Sequence, residues 1–307
     1  MRPAVGAHAP VAGGLARAAL SYLDTVDAGA VQVYVSNPRG WARTDGDPEQ
    51  DRAFLDGIDK REIPAYVHAT LLTNLGSPTP ATVAQSVATL SHALERARAI
   101  GARGVVFHAG SAVDETHEEP ALAQLHEHLL PLLESAAAAG LPRLLVEPSA
   151  GGGRSLAARV EQLGRYLDAV ERHPMLGVCF DTCHAWAAGH DLAGPGGMTA
   201  TLDALVAACG PGRLALVHAN DSKDTLGSTR DRHENIGAGM IGTAAFAELF
   251  AHPAVAGVPV IVETPSEGTA GHARDILALR DLAATPVPVT PRSLSERRKA
   301  ASVSSAG

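Results

Sequence analysis

The stretch Leu144-Leu145-Val146-Glu147 is a short apolar run that ends in a carboxylate, and the rest of the chain repeats this pattern. Five further apolar runs also end in a residue that can bind a metal ion, namely His68, His108, Asp181, His218 and Glu263. An ionisable side chain at the end of a buried strand is costly unless it is paired, because burial disfavours charge. Six such placements, all at the carboxyl end of a run, predict strands that converge on one polar, cation-binding centre.

The spacing of these runs predicts the fold. Their last residues lie 40, 39, 34, 37 and 45 positions apart, which leaves room for a strand, a helix and two loops. Two earlier apolar runs, 5–8 and 31–35, raise the count to eight. Eight such units predict a single-domain (β/α)8 TIM barrel over residues 1–285, with the metal site at the C-terminal end of the strands. Residues 286–307 lose this periodicity, and we expect them to form a disordered, mildly basic tail.

Composition narrows the class of protein. The chain is 46% hydrophobic, has no apolar stretch long enough to span a bilayer, and has three cysteines, too few for a disulfide framework. We therefore expect a cytoplasmic protein that does not contact a membrane. The formal charge of −8 argues only weakly against a nucleic-acid partner, because three bound divalent ions would bring the total to about −2.

Helices are predicted between the strands, and one loop is long. Thr79-Pro80 begins a helix that ends at Gly101, since proline is tolerated in the first turn. Ser155 is predicted to cap a helix that ends near Glu171. Residues 220–242 form the longest irregular segment, and a loop of this length in a compact fold usually serves a function.

The six strand-end residues comprise three imidazoles and three carboxylates, more than one tetrahedral ion needs. This mixture of nitrogen and oxygen ligands suits zinc, manganese or iron better than calcium, which prefers oxygen alone. His184, Asp231 and His233 add a set of three ligands with an open position, as in a catalytic zinc site. Two ions are therefore the minimum, and three ions are the sharper hypothesis. His8 is predicted to support these ligands, and Cys179 is predicted to pack as a small apolar group, as is Cys183.

Several motifs resemble those of the endonuclease IV family of apurinic/apyrimidinic endonucleases. They are FDTCHA at 180–185, NDSK at 220–223, DRHENIG at 231–237 and VETP at 262–265, with GAH at 6–8 and NLG at 74–76 near the start. The likeness covers residues 4–284, and the HENIG block is its most specific part.

The resemblance implies three zinc ions per chain, in part replaceable by manganese or iron. The three proposed ligand groups are His68, His108 and Glu147; then Glu147 again, as a bridge, with Asp181, His218 and Glu263; and finally His184, Asp231 and His233. Glu147 and Glu263 are expected to be catalytic residues.

The chemistry that the resemblance implies is DNA repair. Metal-activated hydroxide would hydrolyse the phosphodiester on the 5′ side of an abasic site in double-stranded DNA, leaving a 3′-hydroxyl and a 5′-deoxyribose phosphate. A missing base lowers the cost of rotating that nucleotide out of the helix and into a recessed site. DNA with 3′-blocked ends is a further expected substrate. The protein is expected to act as a monomer, associated with the nucleoid when it works on DNA.

Loops around the mouth of the barrel are expected to hold the DNA. Their candidate contacts are Asn37, Arg39, Trp41, Leu71, Leu72, Asn74, Lys223, Arg230 and Arg232. Two residues depart from the family pattern. Leu71 stands where the family often has a tyrosine that wedges into the DNA stack. Pro148 follows Glu147 where the family usually has asparagine, which removes a polar side chain and a backbone donor.

Two other functions stay open from the sequence. A TIM-barrel sugar isomerase or epimerase would need only the six strand-end residues, and it leaves the Asp231 and His233 pair and the loop 220–242 unexplained. A protein that binds abasic DNA without catalysis would keep its affinity for that DNA and cleave nothing. The number of bound ions and the presence of strand cleavage separate the three hypotheses.

Overall fold

The computed structural model describes residues 4–285. Its strands are β1 (Val5–His8), β2 (Val31–Tyr34), β3 (Ala65–His68), β4 (Gly104–His108), β5 (Arg143–Glu147), β6 (Leu176–Asp181), β7 (Leu214–His218), β8 (Asp221–Ser222), β9 (His233–Glu234) and β10 (Val260–Val262). Eight of them are parallel and close into a barrel in the order β1-β10-β7-β6-β5-β4-β3-β2. The predicted (β/α)8 barrel is confirmed, whereas the predicted disordered tail lies outside the described residues.

Helices follow the barrel strands on the outside. They are α1 (Leu15–Val26), α2 (Pro48–Arg61), α3 (Pro80–Ala99), α4 (Glu118–Gln124), α5 (Leu130–Ala138), α6 (Leu163–Asp168), α7 (Thr182–Ala187), α8 (Gly197–Cys209), α9 (Thr243–Ala251) and α10 (Ala270–Ala284). Single helical turns lie at Glu115–His117, Val160–Gln162 and Pro253–Val255, and a wider turn at Leu125–Leu129 joins α4 to α5. No helix of the described part of the chain is long and apolar enough to cross a membrane.

Two expectations about local structure are wrong. Ser155 caps no helix: its hydroxyl is bound by that of Ser149 at 2.7 Å, and the helical segment begins only at Val160. The segment 220–242 is not wholly irregular, because β8 and β9 pair in an antiparallel hairpin. The long helix predicted after Thr79 is confirmed as α3, with Pro80 in its first turn.

The barrel interior explains the sequence pattern of the strands. Six of its buried residues lie two positions before a strand-end residue: Tyr66, Val106, Leu145, Cys179, Leu216 and Ile261. Because side chains alternate along a strand, these residues share the inward face with the residue that ends the run. An apolar layer therefore closes the floor directly beneath the polar mouth.

Gly6 shows how closely the first strand is packed. A Cβ atom at this position would lie 1.7 Å from the carbonyl oxygen of Ala30, a distance that no side chain can occupy. The main chain of β1 can approach the start of β2 only because residue 6 has no side chain.

Candidate metal centre

The six predicted strand-end residues meet at one end of the barrel. Five are the last residues of β3 to β7, and the sixth directly follows β10: His68, His108, Glu147, Asp181, His218 and Glu263. Neighbouring strands place two pairs side by side, since His108 is in register with Glu147 and Asp181 with His218. We call these six residues the strand-end set.

Glu147 lies at the centre of the strand-end set. Its Oε2 is 3.2 Å from Nε2 of His68 and 3.5 Å from Nε2 of His108. Its Oε1 is 2.9 Å from Nδ1 of His218, and its side chain is fully buried. The carboxylate therefore belongs to two groups of close donors, one with His68 and His108 and one with Asp181, His218 and Glu263. Within each group the donor atoms lie within 4.8 Å of one another.

His184, Asp231 and His233 form a third group, which we call the outer set. Nε2 of His184 lies 3.2 Å from Oδ2 of Asp231, and Nε2 of His233 lies 3.0 Å from its Oδ1. The Asp231 side chain is 49% exposed, whereas that of His184 is 4% exposed. The outer set thus reaches from the buried centre to solvent.

Each of four imidazoles has one ring nitrogen fixed by an oxygen outside the ligand groups. Nδ1–H of His68 donates to the carbonyl of Ala69 at 2.8 Å, and that of His184 donates to the carbonyl of Pro148 at 3.0 Å. Nδ1 of His233 faces the main-chain carbonyl of Glu263 at 3.1 Å. These contacts leave the Nε2 atoms of the three rings directed into the mouth, which is the arrangement that supporting partners impose on metal-binding histidines.

His218, the fourth, is fixed by Gln32, a residue that the sequence pattern did not reveal. Nε2–H of His218 donates to Oε1 of Gln32 at 2.9 Å, so Nδ1 faces the carboxylates. The Gln32 amide also donates to Oε1 of Glu263 at 2.7 Å. His8 lies 3.0 Å from the same oxygen through Nδ1, in agreement with its predicted supporting role. Gln32 lies inside an apolar strand. A polar side chain at such a position was the only feature of the sequence that could have indicated its supporting role.

Asn220 is a second supporting residue without a predicted role. Its Nδ2 donates to Oδ2 of Asp181 at 2.8 Å, and its Oδ1 accepts the backbone N–H of Glu263 at 2.8 Å. The side chain is fully buried. Asn220 thereby joins two members of the strand-end set that lie on non-adjacent segments of the chain.

Asp221 organises the loop that carries part of the outer set. Its buried carboxylate accepts backbone N–H groups from Gly237, Ile241 and Gly242 at distances of 2.8 to 3.2 Å. One buried carboxylate therefore replaces a regular ladder of hydrogen bonds and holds the far end of the loop against β8.

Buried carboxylates and imidazoles lie in close contact at the mouth and shift one another's pKa. Burial opposes ionisation of Glu147, but the charge of His218 and the hydrogen bonds from His218 and His68 hold its pKa well below its usual range. Burial also opposes the charge on His184, yet the nearby carboxylates raise its pKa well above its ordinary value. Burial lowers the pKa of His108 to about 4. Anionic carboxylates in a buried mouth require positive charge close by, and divalent cations supply it.

The donor set fits such cations. Three of the groups consist only of imidazole and carboxylate ligands, the mixture that zinc, manganese and iron accept and calcium does not favour. Nε2 of His233 is buried and makes no hydrogen bond, although it lies 3.0 Å from a carboxylate oxygen of Asp231. A cation between these two atoms would satisfy both.

Comparison with known proteins identifies the family. A family model described as a xylose isomerase-like TIM barrel matches residues 21–282. The "Probable endonuclease 4" of Streptomyces coelicolor is 54% identical over 281 residues, covering 92% of this chain and 95% of that protein. The crystal structure of endonuclease IV from Thermus thermophilus has a TM-score of 0.80 at 34% identity, covering 92% of this chain and 99% of that chain. The chain belongs to the endonuclease IV family.

Other barrels resemble this member of the endonuclease IV family in fold only. The structure of a D-tagatose 3-epimerase-like protein covers 92% of this chain and 98% of its own, with a TM-score of 0.68 but 18% identity. Identity this low supports a common architecture and leaves the chemistry open. The family resemblance inferred from the motifs is confirmed.

The candidate DNA contacts of this endonuclease IV family chain differ in their surroundings. Asn37, Arg39, Lys223 and Arg230 are exposed, and Trp41 is half-buried. Two candidates donate side-chain hydrogen bonds within the protein. Asn74 donates from Nδ2 to the carbonyl of Ser111 at 2.9 Å, and Arg232 donates from Nε to Asp224 at 2.6 Å. Their role as DNA contacts stays a prediction.

The two residues that depart from the endonuclease IV family pattern, Leu71 and Pro148, differ in exposure. Leu71 and Leu72 are 42% and 39% exposed, and with His108 they line a cavity of about 330 Å³ beside the mouth. Pro148 is buried, and its carbonyl is the group that fixes Nδ1 of His184. Proline removes a donor at this position but retains the acceptor that the site uses.

Proposed function

We propose that this chain, an endonuclease of the endonuclease IV family, hydrolyses the phosphodiester on the 5′ side of abasic sites in double-stranded DNA. The products would be a 3′-hydroxyl and a 5′-deoxyribose phosphate. The observation that carries the proposal is the outer set, which adjoins a strand-end set already large enough for two ions. DNA with 3′-blocked ends belongs to the same proposed substrate range, because hydrolysis of a phosphate ester there also leaves a 3′-hydroxyl.

Three Zn²⁺ ions are the proposed cofactors, with manganese or iron acceptable in part. His68, His108 and Glu147 would hold the first ion, and Glu147 with Asp181, His218 and Glu263 the second. His184, Asp231 and His233 would hold the third. When bound, such ions lower the pKa of water and neutralise phosphate charge.

The chain itself orients the reactants. Gln32 donates a hydrogen bond to Glu263 and Asn220 donates one to Asp181, and these bonds orient the two carboxylates toward the mouth. The buried apolar floor excludes bulk water from below the mouth. The exposed Leu71 and Leu72 are placed to fill the gap that an extruded nucleotide leaves in the duplex, which is how apolar wedges act on DNA.

The test is incubation of the purified chain with a duplex that contains one abasic site, with and without a strong chelator. We expect cleavage on the 5′ side, its loss on chelation and its recovery with Zn²⁺. Fully metallated protein that leaves the DNA uncut would indicate a non-catalytic binding protein. Products from cleavage on the 3′ side would also overturn the proposal.

Two further measurements complete the test. Metal analysis should give three ions per chain, whereas one or two ions with isomerase activity on sugars would favour the epimerase alternative. Glu263→Gln should lose most of its cleavage activity, whereas its melting temperature should change little. A variant of similar shape at an exposed position, Glu134→Gln on α5, serves as the matched control.

A further inference from the structure

The floor of the barrel contains one sulfur atom directly under the metal centre. Cys179 lies on β6 two positions before Asp181, so its side chain points into the barrel one layer below that carboxylate. It is fully buried among the apolar residues of the floor. Its Sγ, a carboxylate oxygen of Glu147 and a ring nitrogen of His218 all lie within 4.8 Å of one another.

These three side chains have little freedom to separate. Glu147 and His218 are joined by a 2.9 Å contact, and all three residues have no exposed surface. The Cys179 sulfur lies beside the His218 ring in the same buried layer. A buried group of one sulfur, one nitrogen and one oxygen at this spacing has the shape of a three-ligand metal site.

We propose that Glu147, Cys179 and His218 form a second, thiolate-containing cation site that selects soft divalent ions such as Cd²⁺. A cation that binds there replaces the thiol proton, which leaves to solvent as the metal–sulfur bond forms. Thiolate ligands favour soft ions, whereas the carboxylates and imidazoles above suit zinc and harder ions. The inference rests on the proposed function in one respect, because Glu147 and His218 also belong to the proposed zinc groups.

Sharing these two ligands has a consequence for the metal centre. An ion held by Cys179 occupies donor atoms of Glu147 and His218 that the strand-end ions need. Soft ions would therefore load the barrel at the expense of zinc, and the enzyme would be sensitive to them at concentrations where zinc enzymes without a thiol are not.

The other cysteines provide controls. Cys183 also lies near a carboxylate and an imidazole, those of Asp181 and His233. It lies in α7, outside the apolar floor that contains Cys179. Cys209 ends α8 on the outside of the barrel and belongs to none of the ligand groups found within residues 4–285.

The experiment uses the full chain loaded with Cd²⁺ and the ultraviolet charge-transfer absorption of a cadmium–thiolate bond. We expect the band in the Cys183→Ser/Cys209→Ser double variant, in which Cys179 is the one remaining cysteine of the three. Adding Cys179→Ser to the double variant should remove the band and weaken Cd²⁺ binding by at least the roughly 10- to 100-fold that follows loss of a supporting group. A band that persists in this triple variant, or is missing from the double variant, overturns the proposal.

Two further measurements, of the cadmium ligands and of DNA cleavage, complete the experiment. If the triple variant does not fold, X-ray absorption at the cadmium edge of the double variant decides, because sulfur among the ligands supports the site and only oxygen and nitrogen refute it. Cleavage of abasic DNA by the zinc-loaded Cys209→Ser variant is measured in parallel. Cleavage without a cadmium–sulfur bond refutes this site alone, whereas failure to cleave refutes the proposed nuclease function.

Discussion

The strand-end set and the outer set are held in different ways. Strand-end residues such as Glu147 and His218 are positioned by the hydrogen-bonded ladder of the barrel and are fully buried. In the outer set, His184 lies in the first turn of the short helix α7, while Asp231 and His233 lie on the segment that Asp221 organises. The barrel strands position the first set, whereas the second combines one helix with the segment that runs from β8 to β9. The two sets should therefore respond differently to mutation.

The largest effect is expected from Glu147→Gln, because this carboxylate is shared by two ligand groups. Cleavage of abasic DNA should fall by about 10³-fold or more, as when charge stabilisation is removed from an active site. Metal content should fall by two ions per chain. Steady-state kinetics and elemental analysis measure both quantities, with Glu134→Gln as control. Near-normal cleavage would show that the strand-end set is not the reactive centre.

His233→Ala tests whether the outer set binds its metal ion independently of the strand-end set. We expect the variant to bind one ion fewer per chain and to keep the strand-end ions. Its rate of cleavage should fall by about 10²-fold. His126→Ala, an exposed histidine near the start of the wider helical turn, is the control. Loss of all ions together would contradict the division of the centre into two sets.

Gln32→Leu removes the support of the strand-end set without removing a ligand. His218 would lose the acceptor for its Nε2–H, and Glu263 would lose a 2.7 Å donor. We expect metal affinity to fall about 10- to 100-fold, with the outer ion least affected. Competition with a chelator measures each affinity, and the exposed Gln85→Leu on α3 is the control. Unchanged affinities would mean that the strands alone orient His218.

Asp221→Asn tests the support of the outer set. One carboxylate oxygen becomes an amide nitrogen, so at least one of its backbone donors loses its acceptor. We expect the free energy of unfolding to fall by about 1–3 kcal/mol. The outer set should bind its ion about tenfold more weakly. Denaturant unfolding and metal titration measure these changes, and Asp56→Asn on the exposed side of α2 is the control. A selective loss of a strand-end ion would contradict the prediction.

The smallest effects are expected at the rim. Leu71→Ser should weaken binding to abasic DNA a few-fold with an unchanged salt dependence, because the wedge is apolar. Arg230→Gln should lower the slope of log K against log salt by about one, because it removes a single phosphate contact. Binding titrations at several salt concentrations distinguish the two. Identical salt slopes for both variants would argue against a phosphate contact at Arg230.

Much of this architecture could be read from the sequence. The period of about 40 residues between strand ends predicts the barrel, and the alternation within each strand predicts that His68, Glu147 and Asp181 share its mouth. These patterns are local and repeated, so the sequence of each strand independently predicts the same arrangement. The helix expected after Ser155 was wrong because a hydroxyl contact with Ser149 and a loop compete with the cap.

The supporting residues could be found only in the tertiary structure. Gln32 meets His218 across 186 residues of sequence, and Asn220 meets Asp181 across 39, so no local pattern marks either pair. The same holds for Cys179, which in the sequence is an apolar strand residue and in the barrel is the soft donor beneath Glu147. The sequence by itself determined which residues end the strands, because strand periodicity is a short-range property. Barrel closure decided which of their neighbours touch them, because those contacts join residues that are distant along the chain.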